Sequence, residues 1–185
     1  ACAIAASRAS PGAVATLVLP ADTAWGSSNG AAKTVSPSTA TAPDSSAVDE
    51  CARALRSGEP AMLLLGGRAL RSVPLETAGR IAAGTGAELR SELMAARTER
   101  GSGRVSIERI PYPVDQAVGV LENVRHLILV GTVSPVAFFA YPDKPSLLAP
   151  SDCQIHSLAG PADDLLAALE WLADELGVGD AVPEL

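Results

Sequence analysis

The chain has 185 residues, of which 48% are hydrophobic and 3% aromatic, and its formal net charge is −7 at pH 7. This length allows one substantial hydrophobic core. The acidic balance argues against nucleic acid and against an anionic membrane surface as partners, because both require a basic protein surface. No apolar run approaches the roughly 18 residues that a membrane-spanning helix needs.

Three cysteines, Cys2, Cys51 and Cys153, show no CxxC or metal-type spacing. An odd number of cysteines without such spacing is typical of reduced thiols, which predicts a cytoplasmic protein. The first ten residues lack the basic, apolar and cleavage-site order of a signal peptide. They also lack an initiator Met, so we expect the chain to be cut from something longer.

The first 46 residues contain little that could form a core. Residues 1–10 are an Ala-rich helical segment, and residues 13–20 (AVATLVLP) form an apolar run of strand length. Residues 27–46 are rich in Ser, Thr, Ala and Pro, a composition typical of a linker. Because a lone strand cannot form a domain, we interpret residues 1–26 as the tail of a preceding domain.

The remainder of the chain alternates between helical and strand patterns. Helices are predicted within residues 45–58, 72–86, 111–124 and 161–179, and strands within 60–67, 87–93, 126–131, 145–150 and 153–160. This alternation predicts an α/β, three-layer αβα domain over residues 47–178, with about six mainly parallel strands. Its core should contain Leu63, Leu65, Ile128 and Val130.

A glycine pair, Gly66 and Gly67, follows the apolar run AMLLL and is itself followed by Arg68. Two glycines between a strand and a helix let a ligand approach the backbone, and the following helix N-terminus favours phosphate. The alternative is a tight strand-to-helix turn without a ligand, because the third glycine of a dinucleotide fingerprint is missing.

Three other features are candidates for function. The segment RTERGSGR carries Arg97, Arg100 and Arg104, with Arg109 nearby, and could hold a phosphate or carboxylate; a solvated loop countered by Glu99 and Glu108 is the favoured alternative. His126 and His156 have no Ser, Cys or Asp constellation around them, which favours structural roles. The segment VAFFAYP could contact a substrate or subunit, although packing of a short helix under the loop is favoured.

The order of these segments resembles a known family. PGAVATLVLPADTAW, a Ser/Ala-rich linker, EPAMLLLGGRAL, HLILVGTVSPVAFFAYPDKPS and a closing helix resemble the middle of a thiamine-diphosphate-dependent enzyme of the acetolactate synthase/benzoylformate decarboxylase family. The resemblance implies that residues 1–26 end a pyrimidine-binding domain and that residues 47–178 form a central Rossmann-like domain. Residues 179–185 would then begin a linker to a diphosphate-binding domain.

The resemblance also implies an activity for the longer protein. It would be a cytoplasmic homo-oligomer, dimer or tetramer, that uses thiamine diphosphate and Mg²⁺ to decarboxylate a small 2-oxo acid, with or without transfer to a second carbonyl. The family's residues for thiamine diphosphate and Mg²⁺ would lie outside this chain. We therefore predict no catalytic or metal-binding residue here and no activity of residues 1–185 alone.

In acetolactate synthases proper, the central domain holds FAD. The resemblance makes Gly66, Gly67, Arg68, Gly131 and Thr132 the candidate cofactor-binding residues. FAD is nevertheless disfavoured, because ARTERGSGRVSIERIPYPVDQA and GTVSPVAFFAY stand where those enzymes carry Gly-Met-x-Gly-type and Gly-Ala-Arg-Phe-type stretches. The alternatives are a self-standing, Rossmann-type nucleotide-binding or regulatory module and a purely structural spacer.

Overall fold

The computed structural model describes all 185 residues, which divide into two compact units, Ala1–Thr41 and Ala42–Leu185. The first unit contains helix α1 (Cys2–Arg8) and helix α2 (Ala21–Trp25). Residues 13–20, predicted as a strand, form no strand and are exposed throughout. That prediction is wrong, because strand propensity alone cannot stabilise an extended segment that has no neighbouring strand to pair with.

The second unit alternates helices and strands around one sheet. Its elements are α3 (Ser45–Arg56), β1 (Ala61–Leu65), a 3-10 turn (Gly67–Leu70), α4 (Ser72–Thr85), β2 (Glu88–Ser91), β3 (Glu108–Arg109), α5 (Val114–Leu121), β4 (His126–Val130), β5 (Gln154–Ala159) and α6 (Leu165–Leu176). Every predicted helix of this unit is present.

The sheet has five strands in the order β3-β2-β1-β4-β5, and every neighbouring pair is parallel. The predicted α/β fold is confirmed, with five strands instead of about six. Residues 145–150 were predicted as a strand, but only Leu147 pairs there, in an isolated antiparallel bridge with Val136. Strand β3 was not predicted, because its two residues are charged and exposed.

The core lies on both faces of the two central strands. Leu63, Leu65, Ile128 and Val130 are each 0% exposed, as predicted. They pack in the layer that contains α3, α4 and α6, whereas the alternate residues of β1 and β4 pack against α5. Burying a leucine side chain stabilises a fold by roughly 1.5–3 kcal/mol, so these two strands anchor the unit.

Helices α3 and α6 of this unit each begin at an aspartate cap. Asp44 caps α3 by accepting a hydrogen bond from the Ser46 N–H, and Asp164 caps α6 by accepting from the Ala167 N–H. Helix α6 ends at Gly177, whose φ of 69° is left-handed. No helix in the chain combines the length and apolar character needed to cross a membrane.

Candidate functional site

The strand order changes direction between β1 and β4. The chain runs from β1 outward to β2 and β3, then returns to β4 and continues to β5 on the other side. In open parallel sheets, the crevice beyond the carboxyl ends of such a pair of strands is the usual position for a ligand. We call this position the switch point.

The structure brings four predicted site residues together at the switch point. Gly66 and Gly67 follow β1, and Gly131 and Thr132 follow β4. The two turns are joined directly, since the Gly66 N–H donates to the Val130 carbonyl at 2.9 Å. Arg68, the fifth candidate, lies in the exposed part of the 3-10 turn.

The two glycine turns touch each other. A Cβ on Gly66 would lie 2.7 Å from both Glu92 Cδ and Thr132 Cβ. A Cβ on Gly131 would lie 2.7 Å from Leu165 Cδ1 and 2.8 Å from the Gly66 carbonyl oxygen. The glycines at 66 and 131 are therefore required by contacts within the protein, before any ligand is considered.

Glu92, the residue directly after β2, reaches across the switch point. Its carboxylate accepts a hydrogen bond from the Gly67 N–H at 3.2 Å and another from the Thr132 hydroxyl at 2.7 Å. Its own N–H donates to the Leu65 carbonyl at 2.8 Å, which fixes the residue beside the glycine turn. The carboxylate thus uses one donor from each of the two turns.

This arrangement does not fit a pyrophosphate. The Gly67 N–H and the Thr132 hydroxyl are the donors a phosphate would need, and Glu92 already occupies them. Two like charges 4 Å apart repel by about 4 kcal/mol at an effective dielectric constant of about 20. Arg68 adds a positive charge to the exposed part of the 3-10 turn, but the carboxylate of Glu92 stands between the two glycine turns.

The sequence interpretation missed Glu92. It placed this residue inside the predicted strand at residues 87–93. A signal was nevertheless present, because in dinucleotide-binding folds an acidic residue near the end of the second strand contacts the ribose. Here the same location holds a carboxylate that points at the glycine turn.

The arginine segment lies at the carboxyl ends of β2 and β3. Arg97, Arg100 and Arg109 line an open groove with a volume of about 640 Å³. Arg97 pairs with Glu99 at 3.3 Å, and Glu108, which also lines the groove, pairs with Arg90. The groove is therefore a solvated surface in which carboxylates accompany the arginines.

The segment VAFFAYP does not form the expected packed helix. Phe138 and Phe139 are 50% and 55% exposed, and their rings meet edge to face with centroids 4.7 Å apart. Tyr112 and Tyr141 flank them at centroid distances of 6.0 and 6.1 Å. The expectation of a short helix is wrong, because the segment is held as a loop by the bridge between Val136 and Leu147.

The three thiols are unpaired and differ in exposure. Cys51 is buried, and burial together with the nearby Glu50 carboxylate raises the pKa of its thiol to about 12. Partial burial also raises the pKa of the Cys153 thiol. No group of three or more His, Cys, Asp and Glu residues is arranged to hold a metal ion.

Comparison with known proteins supports the predicted resemblance. The chain is 47% identical over 183 residues to a Mycobacterium tuberculosis protein assigned as an acetolactate synthase large subunit, IlvX. The match covers 98% of this chain and 34% of that protein. The chain is therefore similar in sequence to this acetolactate synthase-like protein. It spans about a third of the length of this relative, and no protein-family model matches it.

Solved structures show that the chain shares its fold with thiamine-diphosphate-dependent enzymes. It matches such an enzyme from Mycobacterium smegmatis with a TM-score of 0.61, at 18% identity, over 85% of this chain and 33% of that one. A 4-hydroxybenzoylformate decarboxylase from Rhodococcus jostii gives 0.59, at 17% identity, over 83% and 31%. Benzoylformate decarboxylase from Polynucleobacter necessarius gives 0.57, at 17% identity, over 92% and 32%.

Proposed function

We propose that this chain contributes the central, Rossmann-like domain of an acetolactate synthase-like enzyme that uses thiamine diphosphate to decarboxylate a small 2-oxo acid. In this proposal residues 1–26 end a pyrimidine-binding domain, residues 27–46 are a linker, residues 47–178 are the central domain and residues 179–185 begin the next linker. The support is the 47% identity to the M. tuberculosis protein and the fold shared with thiamine-diphosphate-dependent enzymes.

The remaining parts of the activity belong to the longer enzyme. Thiamine diphosphate, with Mg²⁺ on its diphosphate, would supply the carbanion chemistry from regions other than residues 1–185. This assignment agrees with a match that covers 34% of the relative. We further propose that the enzyme is a cytoplasmic homo-oligomer, a dimer or tetramer.

Within that enzyme we propose that the domain is a structural scaffold and not a holder of FAD. One observation carries this choice: the Glu92 carboxylate accepts hydrogen bonds from Gly67 and Thr132 at 3.2 and 2.7 Å. A hydrogen bond to a charged group contributes roughly 1.5–3 kcal/mol, so the carboxylate fastens the ends of β1, β2 and β4 together. A flavin pyrophosphate would have to displace it.

A second candidate, a nucleotide-binding or regulatory module, is favoured by the strand order β3-β2-β1-β4-β5 and by the glycine turns at its switch point. It would use Gly66, Gly67, Arg68, Gly131 and Thr132. It requires the Glu92 side chain to rotate out of the switch point, and a nucleotide would have to replace both of its hydrogen bonds.

The enzyme proposal is tested on a longer protein that contains these residues. Release of CO₂ from a panel of 2-oxo acids is measured with and without thiamine diphosphate and Mg²⁺, and then with added FAD. We expect turnover that depends on thiamine diphosphate and is unchanged by FAD. The absence of turnover across the panel would contradict the enzyme assignment, whereas dependence on FAD would contradict the scaffold role.

A further inference from the structure

A buried histidine pair lies at the amino-terminal ends of the strands, opposite the switch point. His126, the first residue of β4, is 5% exposed, and His156 in β5 is 7% exposed. The parallel register pairs Ile128 with His156, and side chains two residues apart share a face, so both rings point toward the layer of α3. His126 Nδ1 and His156 Nε2 are 3.1 Å apart.

The outer nitrogen of each ring faces a carboxylate. His126 Nε2 lies 3.0 Å from Glu59 Oε2, just before β1, and His156 Nδ1 lies 2.7 Å from Glu50 Oε1, on α3. The two carboxylate side chains are 57% and 54% exposed, whereas each imidazole is 7% exposed. All four ring nitrogens are therefore engaged in one linear chain, Glu59–His126–His156–Glu50.

The number of protons in this chain follows from its contacts. Each nitrogen that faces an ionised carboxylate must carry a hydrogen, because a carboxylate can only accept. Two neutral imidazoles have just these two hydrogens, which would leave two lone pairs facing each other between the rings. Two imidazolium ions would place two N–H groups face to face. Only one additional proton, shared between the rings, satisfies all three contacts.

We propose that His126 and His156 share one additional proton, and that the resulting imidazolium–imidazole pair is a pH-sensitive latch. The latch fastens α3 and the segment that leads into β1 to strands β4 and β5. The inference does not depend on the enzyme activity proposed above, because it rests on contacts at the opposite end of the sheet.

The surrounding charges favour a single positive charge on the pair. Glu50 and Glu59 contribute two negative charges, and Arg53 of α3, which lines the same cavity, contributes a positive one. Arg125, before β4, is paired with Asp152, before β5, at 3.2 Å. Gln154, the β5 residue opposite His126, is uncharged. A second proton on the pair would therefore meet repulsion from the first and from Arg53.

The latch predicts a maximum of stability near pH 6.5. In the unfolded chain, two independent imidazoles with a pKa of about 6.5 together hold about two protons at pH 5, one at pH 6.5 and almost none at pH 8. In the proposed latch, the folded pair keeps the one shared proton that its three contacts require. Below pH 6.5 the unfolded chain binds more protons, so stability rises with pH; above pH 6.5 it binds fewer, so stability falls.

Nitrogen NMR of the wild-type protein tests the latch directly. His126 and His156 are the two histidines of the sequence, so protein labelled with ¹⁵N-histidine gives four ring-nitrogen signals. At pH 6.5 we expect protonated-type shifts for His126 Nε2 and His156 Nδ1. The two facing nitrogens should show intermediate shifts, as expected for a shared proton. Two neutral rings, or two fully protonated rings, would overturn the proposal.

Urea unfolding supplies an independent readout. The wild type is compared with the double variant His126→Gln/His156→Gln. Dividing the unfolding constant of the wild type by that of the variant cancels the contribution of the titrating groups that both proteins share. Relative to the variant, the wild-type unfolding constant should rise roughly eightfold between pH 6.5 and pH 8, and by a similar factor between pH 6.5 and pH 5. A ratio that stays constant from pH 5 to pH 8 would overturn the proposal. If the double variant does not fold, the NMR measurement still decides.

Discussion

The substitution Gly131→Ala tests how closely the two glycine turns approach each other. Gly131 has a φ of +68°, and its new Cβ would lie 2.8 Å from the Gly66 carbonyl oxygen and 2.7 Å from Leu165 Cδ1. A left-handed backbone costs an alanine about 1–2 kcal/mol. Overpacking against backbone that cannot move freely adds about 1–3 kcal/mol. We therefore expect a loss of about 2–5 kcal/mol in the free energy of unfolding, a large fraction of the roughly 5–15 kcal/mol typical of a domain.

Urea denaturation measures this loss, and two other glycines provide controls. With a slope near 2 kcal/mol per molar urea, the midpoint should fall by about 1–2.5 M. Gly86 has a similar φ of +76° but nothing within 4 Å of its Cβ, so Gly86→Ala should lose only about 1–2 kcal/mol. Gly119, inside α5 with open space around it, should gain roughly 0.5–1 kcal/mol as alanine. Equal losses at positions 131 and 86 would refute the argument from close approach.

Three further outcomes are expected. Gly67→Ala should lower the free energy of unfolding by about 1–2 kcal/mol, because the φ of Gly67 is +51°. Overpacking adds nothing here, since the nearest atom to the new Cβ, the Gly131 carbonyl oxygen, is 3.5 Å away. Urea denaturation measures this loss, and an unchanged midpoint would contradict it. Glu92→Ala should cost about 1–3 kcal/mol, because the Thr132 hydroxyl loses its carboxylate acceptor, whereas alanine at the exposed Glu170 should change the midpoint little. Cys51, with a thiol pKa of about 12, should resist a thiol reagent at pH 8 until the protein unfolds. The exposed Cys2 is the control and should react at once. Rapid labelling of Cys51 in the folded protein would contradict this prediction.

Hydrophobic patterning predicted the elements whose burial is visible in their own sequence. The runs AMLLL and HLILV form the two central strands, because a strand that is buried on both faces requires apolar residues throughout. Helix α6 buries one apolar face, which its helical spacing of leucines predicted. Patterning failed at residues 13–20 and 145–150. Their apolar composition matches that of strands, but a strand also needs a neighbour, which local sequence does not reveal.

The candidate site was predicted only in part. The resemblance indicated the turns that carry Gly66, Gly67, Gly131 and Thr132, and the structure places them together. It did not indicate that Glu92 would bridge them, since that contact depends on the lateral order of β2, β1 and β4. The histidine pair was missed for the same reason: its 3.1 Å contact depends on the register between β4 and β5.

The central claim is that Glu92 occupies the hydrogen-bond donors at the switch point and so excludes a nucleotide. Titration of the chain with FAD and with ADP tests this claim most directly. Flavin fluorescence and thermal shift are recorded for the wild type, for Gly67→Val and for a variant at the exposed Glu170. We predict no saturable binding by the wild type up to about 1 mM ligand, which corresponds to a binding free energy weaker than about −4 kcal/mol. A micromolar dissociation constant, about −8 kcal/mol, that is lost in Gly67→Val and kept in the Glu170 variant would contradict the account and make the domain a nucleotide holder.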